Sequence, residues 1–263
     1  MKYKVTTKVS FSPDKTFKLE SQESLRSPQG LGVNLRSDDD KRLVVEMTLD
    51  AEDLASAEEM AREEIFRTSS LLSYHYDVRI AQTWTVSCVE VDAQGKEKTG
   101  RRLYGSEMTF TPRGTDVIIG QVGVAELGRL LSRKHRKRFN ELTFDDAVQM
   151  WSEARSQESE AMQYLLLYRL MECLFKGKGK EVTIALTEWI CTKEPKVHLC
   201  PPDKWRTYNI TVYTHLRDNI HWKRSRYPSA AMTKHLPRLR NLVRQRIDEI
   251  WPAVAKASHP LRQ

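Results

Sequence analysis

An arginine and a histidine stand four positions apart in Thr214-His215-Leu216-Arg217-Asp218-Asn219-Ile220-His221. On a helix, positions i and i+4 share one face, a turn apart. A guanidinium and an imidazole so placed suit a phosphodiester. Arg217 would clamp the phosphate, and His221, with an ordinary pKa of about 6.5, would move a proton near neutral pH. No other stretch carries a stronger chemical pattern. There is no Ser/His/Asp triad, zinc-protease motif or dinucleotide fingerprint, and Gly177-Lys178-Gly179-Lys180 lacks the spacing and the Ser/Thr ending of a P-loop. Cys191, His198 and Cys200 lack the tight Cys pairing of structural zinc sites and read as incidental residues of a Pro-rich loop. No metal and no cofactor is expected.

The charge around this segment is uneven. The chain carries a net +8, yet from Pro201 to Gln263 there are 13 Lys and Arg against 4 Asp and Glu, so +9 lies in the last quarter. A second basic run is Arg133-Lys134-His135-Arg136-Lys137-Arg138. Localised positive charge is what a polyanion needs, because phosphate neutralisation and counterion release supply affinity without regard to sequence. The expected nucleic-acid contacts are Lys223, Arg224, Arg226, Arg133, Lys134 and Arg136. Trp222 and Tyr227 interleave with the first three, either as stacking platforms for bases or as aromatic packing in a loop. Lys234, Arg238, Arg240, Arg244 and Arg246 fall on more than one face of the last helix, so only some can line one groove. His215 is either a further polar group of the site or a surface residue.

A length of 263 residues, with 40% hydrophobic and 30% charged, supports one large or two modest domains with a solvated surface. No apolar run approaches the roughly 20 residues of a membrane span. Met1-Lys2-Tyr3-Lys4-Val5 lacks the apolar core of a signal peptide, and four cysteines do not suggest a disulfide framework. The expectation is a reduced, cytoplasmic protein without a membrane partner.

The elements that must position the Arg/His pair fall into two parts, and the fold class expected is α+β. Residues 1–124 read as a mixed α/β module of unknown role. In it, Tyr3–Ser10 is a strand, 11–40 a long loop rich in Ser, Pro, Gly and Asp, and Arg42–Leu49 a strand. A helix capped by Asp50 runs to about Leu72, its inner stripe Leu54, Ala57, Ala61, Ile65 and Thr68. Val78–Val91 is a strand, Ala93-Gln94-Gly95 a turn, Leu103–Thr111 a partner strand, and Val117–Val124 an apolar run of open state. Residues 125–142 read as a basic linker helix. From 143 to 263 the pattern is helical, with Asp145–Ala154, Glu158–Phe175, Val182–Ile190, Tyr208–Ile220 and Met232–Trp251 as elements and Lys193–Asp203 as a loop. Leu165-Leu166-Leu167-Tyr168-Arg169-Leu170-Met171-Glu172-Cys173-Leu174-Phe175 is apolar nearly all round, which buries it on several sides or lends it to a dimer interface. Glu172 within it needs a partner if buried; Arg217 and solvent are the alternatives.

Two of these blocks resemble the HEPN superfamily, helical bundles found in many prokaryotic defence ribonucleases and toxin partners. Tyr168-Arg169-Leu170-Met171-Glu172 is similar to the Tyr-x-x-Leu/Met-Glu helix of HEPN families of the ApeA and MauJ kind. Leu216-Arg217-Asp218-Asn219-Ile220-His221 resembles their later Arg/His helix, in the same order along the chain. The resemblance covers roughly residues 143–255. It implies a HEPN-like helical bundle, an RNA-directed role in defence or stress, and a metal-independent endoribonuclease with Arg217 and His221 as its catalytic pair. Tyr168, Glu172 and Asp218 would support that pair, and a homodimer would bring two pairs to one cleft. His221 would be the general acid or base for attack of a ribose 2′-hydroxyl on the adjacent phosphorus, leaving a 2′,3′-cyclic phosphate, and Arg217 would stabilise the phosphoryl oxygens. The family usually places four to six residues between Arg and His, where this chain has three. Two alternatives accompany this reading: a non-catalytic interaction module binding protein or nucleic acid, and an accessory protein of a metabolic gene cluster, the setting of MauJ-like relatives.

Overall fold

The structure is a computed structural model. It describes residues 1–11, 17–19, 23–26, 32–39, 42–76, 79–81, 85–98, 102–105, 108–111, 117–119, 139, 142–157, 159–177, 179–202, 206–222 and 229–252. The chain divides into two compact units, Met1–His135 with the terminal Lys256–Gln263, and Arg136–Ala255. The class is α+β.

The first unit is built on a largely antiparallel sheet. Its strands run β3 (Glu23–Arg26), β4 (Gly32–Asp39), β5 (Arg42–Asp50), β1 (Lys2–Phe11), β7 (Thr85–Val91) and β8 (Arg102–Gly105) across the sheet. β9 (Met108–Thr111) pairs in parallel with the far end of β1 and antiparallel with β6 (Arg79–Ala81). β2 (Phe17–Leu19) pairs with β10 (Val117–Ile119). The period of two sets the faces. Val5 lies opposite Met47 and Cys88, and Met47 opposite Val33, so these four share one buried face with Tyr3, Leu35 and Leu49. The other face carries Lys4 and Arg36 paired to Glu46 at 3.8 and 3.5 Å. Helix α1 (Leu54–Tyr76) packs on β1, β5 and β7. Glu58 of α1 acts on the Cys88 thiol, which burial first and that charge second push up to about 11.

Several expected elements of this unit differ in the structure. Among its described residues the stretch 11–40 contains three strands; in β4, Val33 and Leu35 alternate with Asn34 and Arg36 and find Met47 and Val45 across the sheet. Asp53, not Asp50, caps α1: its carboxylate accepts from the Ser56 N–H at 2.8 Å, and this bond holds its pKa down. Asp50 ends β5 opposite Lys2. Of the expected stripe, Ala57, Ala61, Ile65 and Thr68 are buried, and Leu54 at the helix start is half-buried. The single strand expected over 78–91 is two, β6 and β7, and that over 103–111 is β8 and β9, which turn to different partners. The turn at 93–95 forms. The Asp92 carboxylate accepts from Gln94 and Lys96 N–H, and Gly95 takes a φ of 81° that disfavours side chains. The basic helix expected over 125–138, with Arg133, Lys134 and Arg136, lies outside the described residues.

The second unit holds helices α2 (Phe144–Ser156), α3 (Glu160–Cys173), α4 (Lys180–Lys193), α5 (Val212–Trp222) and α6 (Ser229–Ile250). A short ribbon, β11 (Leu199–Cys200) with β12 (Ile210–Thr211), precedes α5. A capping box starts α2: Asp146 N–H donates to Thr143 Oγ1, and Thr143 N–H donates to the Asp146 carboxylate at 2.7 Å. α3 packs against all four other helices of the unit and buries Tyr164, Leu167, Tyr168, Leu170 and Met171, as its near-continuous apolar character anticipates. It ends at Cys173, ahead of the two glycines expected to stop it. Gly177 takes a φ of 112° in the turn, and Gly179 is the residue before α4. α5 begins at Val212 rather than Tyr208, because Ile210 and Thr211 pair with Cys200 and Leu199 instead.

Candidate functional site

A row of residues at helical spacing on α3 meets Arg217 and the Tyr213 carbonyl of α5, while the Tyr213 side chain turns to Glu194 and His235. Tyr164, Tyr168 and Glu172 follow one another by a turn on α3; Tyr213, Arg217 and His221 do so on α5. The first contacts fix α5 on α3. The Tyr164 hydroxyl donates to the Tyr213 carbonyl at 3.0 Å, and the Tyr168 and Thr214 hydroxyls share a hydrogen bond of 2.8 Å. Thr211, at the helix start, accepts from the Thr214 N–H at 3.4 Å. All four of these side chains are buried, so each polar tip requires a partner, and the register of the two helices is thereby restricted.

Arg217 projects one turn beyond Tyr213 into this frame. Its guanidinium lies over the Tyr168 ring, 4.8 Å from the centroid. Nη2 meets Glu172 Oε1 at 3.1 Å, and Nε meets Asp218 Oδ1 at 3.2 Å. Asp218 in turn takes Arg206 Nη1 on its other oxygen at 2.6 Å. Arg169, largely exposed, reaches the second Glu172 oxygen at 3.6 Å. The cluster therefore joins three arginines to two carboxylates, a net +1. Burial raises the Tyr168 pKa to about 12, against the opposing pull of the Thr214 hydrogen bond and of Arg217. Tyr168 is thus a neutral platform and hydrogen-bonding group at physiological pH, not a proton carrier.

Arg217, Glu172, Tyr168 and Asp218 are brought together here. His221 occupies the next position of the Arg217 row in α5, and its side chain lies outside the described residues. So do the side chain of Trp222 and residues Lys223, Arg224, Arg226 and Tyr227. His215 is exposed, off the row. Arg206, Tyr164 and Thr214 complete the cluster and were not singled out from sequence. The i, i+4 spacing of Tyr164, Tyr168 and Glu172 was the available signal for Tyr164. Arg206, outside any helix and 12 positions from its partner, had none.

Among the basic residues of the last helix, Arg246 is not a groove residue. Its guanidinium lies over the Phe175 ring at 4.5 Å, with Phe139 and Trp189 at 5.8 Å. Its Nε donates to the Leu174 carbonyl at the end of α3, and Nη1 donates to Glu249, which also accepts from Trp189 and pairs with Lys193 at 2.6 Å. This is a structural clamp. Cys191 is half-buried, His198 exposed and Cys200 buried; among the described residues no group of three or more His, Cys, Asp or Glu is arranged to hold a metal ion. Among them, too, no helix is long and apolar enough to cross a membrane. In comparisons with known proteins, no family model, curated protein or solved structure matches this chain.

Proposed function

We propose that this protein acts on RNA, as a HEPN-like metal-independent endoribonuclease of a defence or stress system, with the helices of the second unit as its HEPN-like bundle. One observation carries the reading: Arg217 is held on α5 by Tyr168, Glu172 and Asp218, one helical turn before His221. A guanidinium fixed by a ring face and two carboxylates keeps its position without reorganising when a phosphate arrives. In the reaction, His221 takes the proton of a ribose 2′-hydroxyl as that oxygen attacks the neighbouring phosphorus. The 5′-oxygen leaves and takes a proton from solvent water, and a 2′,3′-cyclic phosphate remains. Arg217 stabilises the charge on the non-bridging oxygens. Pairing of two copies to join two such sites, and the cytoplasm as its place of action, belong to the same proposal.

The test is cleavage of labelled RNA in the presence of EDTA by the wild type, Arg217→Ala and His221→Ala. The reading expects wild-type cleavage that each substitution lowers by roughly 10²–10⁴, with RNA affinity kept in the His221 variant. A second reading has its own observation. Two carboxylates already pair with Arg217, and three residues separate it from His221, which favours a module that binds nucleic acid or protein without cutting. Wild-type protein that binds RNA and never cleaves it selects that reading.

A further inference from the structure

We propose that Arg206 is a second phosphate-contacting residue of the Arg217 site, and that the Asp218 carboxylate stands between the two guanidiniums where an RNA phosphate would bridge them. The inference rests on the RNA reading of this site and specifies how the phosphate is held. Each Asp218 oxygen takes one arginine: Oδ2 meets Arg206 Nη1 at 2.6 Å and Oδ1 meets Arg217 Nε at 3.2 Å. One anion thus lies between two guanidiniums, hydrogen-bonded to Arg206 and in ionic contact with Arg217, whose Nε–H is left without a hydrogen bond that a phosphate oxygen would supply. The two arginines come from different elements, Arg206 from the segment before β12 and Arg217 from α5. Their side chains retain 20% and 26% exposure, but Arg217 Nε itself is buried and makes no hydrogen bond, so a phosphate reaches it only when Asp218 moves aside. Glu172 grips Arg217 from its other end, through Nη2. Displacing Asp218 therefore leaves Arg217 anchored on Glu172 and Tyr168 while freeing its Nε edge. The carboxylate acts as an internal competitor: it keeps the pair aligned when no RNA is bound and repels the phosphate that replaces it.

The experiment is fluorescence polarisation of an end-labelled single-stranded RNA oligonucleotide over roughly 50 to 200 mM salt, with the full chain as wild type, Arg206→Ala, Arg206→Lys, Asp218→Asn and Arg217→Ala. Arg206→Ala is expected to weaken binding about tenfold and to reduce the log–log salt slope by about 0.7, one single-strand phosphate contact. Arg206→Lys should keep the slope while losing part of the affinity, since charge remains without the fork. Asp218→Asn should tighten binding several-fold. If Arg206→Ala binds as the wild type does while Arg217→Ala is weakened, the Arg206 proposal fails and the RNA reading stands. If the wild type does not bind at the lowest salt, the RNA reading fails and takes this proposal with it. Should Arg206→Ala not fold, Asp218→Asn decides: tighter binding supports the competitor role, and weaker binding overturns it.

Discussion

Removing Glu172 and Arg217 singly and together measures how firmly the arginine is positioned. The pair stands at 3.1 Å with about a quarter of each side chain exposed. Two unit charges at such a distance attract by roughly 1.3 kcal/mol in bulk water and roughly 5 at the effective dielectric of a protein surface. Desolvation and lost side-chain freedom offset part of this, which leaves a coupling of about 1–2 kcal/mol, above the ordinary exposed pair. Arg217→Ala also loses the stack on Tyr168, about 1 kcal/mol. The single change should therefore destabilise by about 2–3 kcal/mol. Glu172→Ala should cost less, because Asp218 and Tyr168 still hold the guanidinium. The double variant should be more stable than the sum of the two losses by the coupling energy. Urea denaturation followed by far-ultraviolet circular dichroism, on all four proteins, gives the cycle. A coupling below about 0.3 kcal/mol, within ordinary additivity, would refute the claim that Glu172 positions Arg217.

Thr143→Ala removes the capping box of α2 and should cost about 1 kcal/mol in urea denaturation, with Thr143→Ser retaining most of it. Tyr168 has its folded pKa raised above the unfolded value of about 10, so the stability of its neutral form is whole below that pH. That stability is lost as pH rises toward the folded value of about 12; the alkaline fall in stability should accordingly shrink in Tyr168→Phe. His235 shifts the other way. Burial first, then Lys234 and Arg238, lower its pKa, while Glu194 opposes them. Its neutral form therefore supports the fold above the unfolded value of about 6.5, and that support is lost as pH falls below it. A nuclear magnetic resonance titration of the His235 ring should give a midpoint below the ordinary value, and a midpoint at or above that value contradicts the burial argument.

Local pattern made much of this molecule readable. The helices of the second unit follow from apolar spacing, and the burial of α3 follows from Tyr164, Leu167, Tyr168 and Met171 set among further apolar residues. The stripe of α1 was visible for the same reason. The strands inside 11–40 were not, because Ser, Pro, Gly and Asp dominate that stretch and its pairing depends on partners such as Val45 and Met47 farther along. A cap is equally local but was ambiguous: Asp50 and Asp53 both precede the helix, and only the bond to Ser56 distinguishes them. At the candidate site, the meeting of Arg217 with Tyr168 and Glu172 was legible from helical spacing, with Asp218 next to Arg217 in the chain. Arg206 was not, since a guanidinium in an irregular segment finds Asp218 only through the tertiary path of the ribbon and α5. Arg246 shows the converse, a basic residue that adds to the formal charge of the last helix yet spends its guanidinium on Phe175, Leu174 and Glu249.

The proposed reaction is cleavage of an RNA phosphodiester at the Arg217 site through the neighbouring 2′-hydroxyl. It is tested most directly by incubating the protein, with EDTA present, with heteropolymeric RNA and with the same sequence lacking every 2′-hydroxyl, and by identifying product termini by mass spectrometry. Cleavage of the RNA alone, 2′,3′-cyclic phosphate ends, and loss of those products in His221→Ala are expected. Cleavage of both strands, 5′-phosphate ends with no cyclic phosphate, or no cleavage of the RNA at all would contradict it.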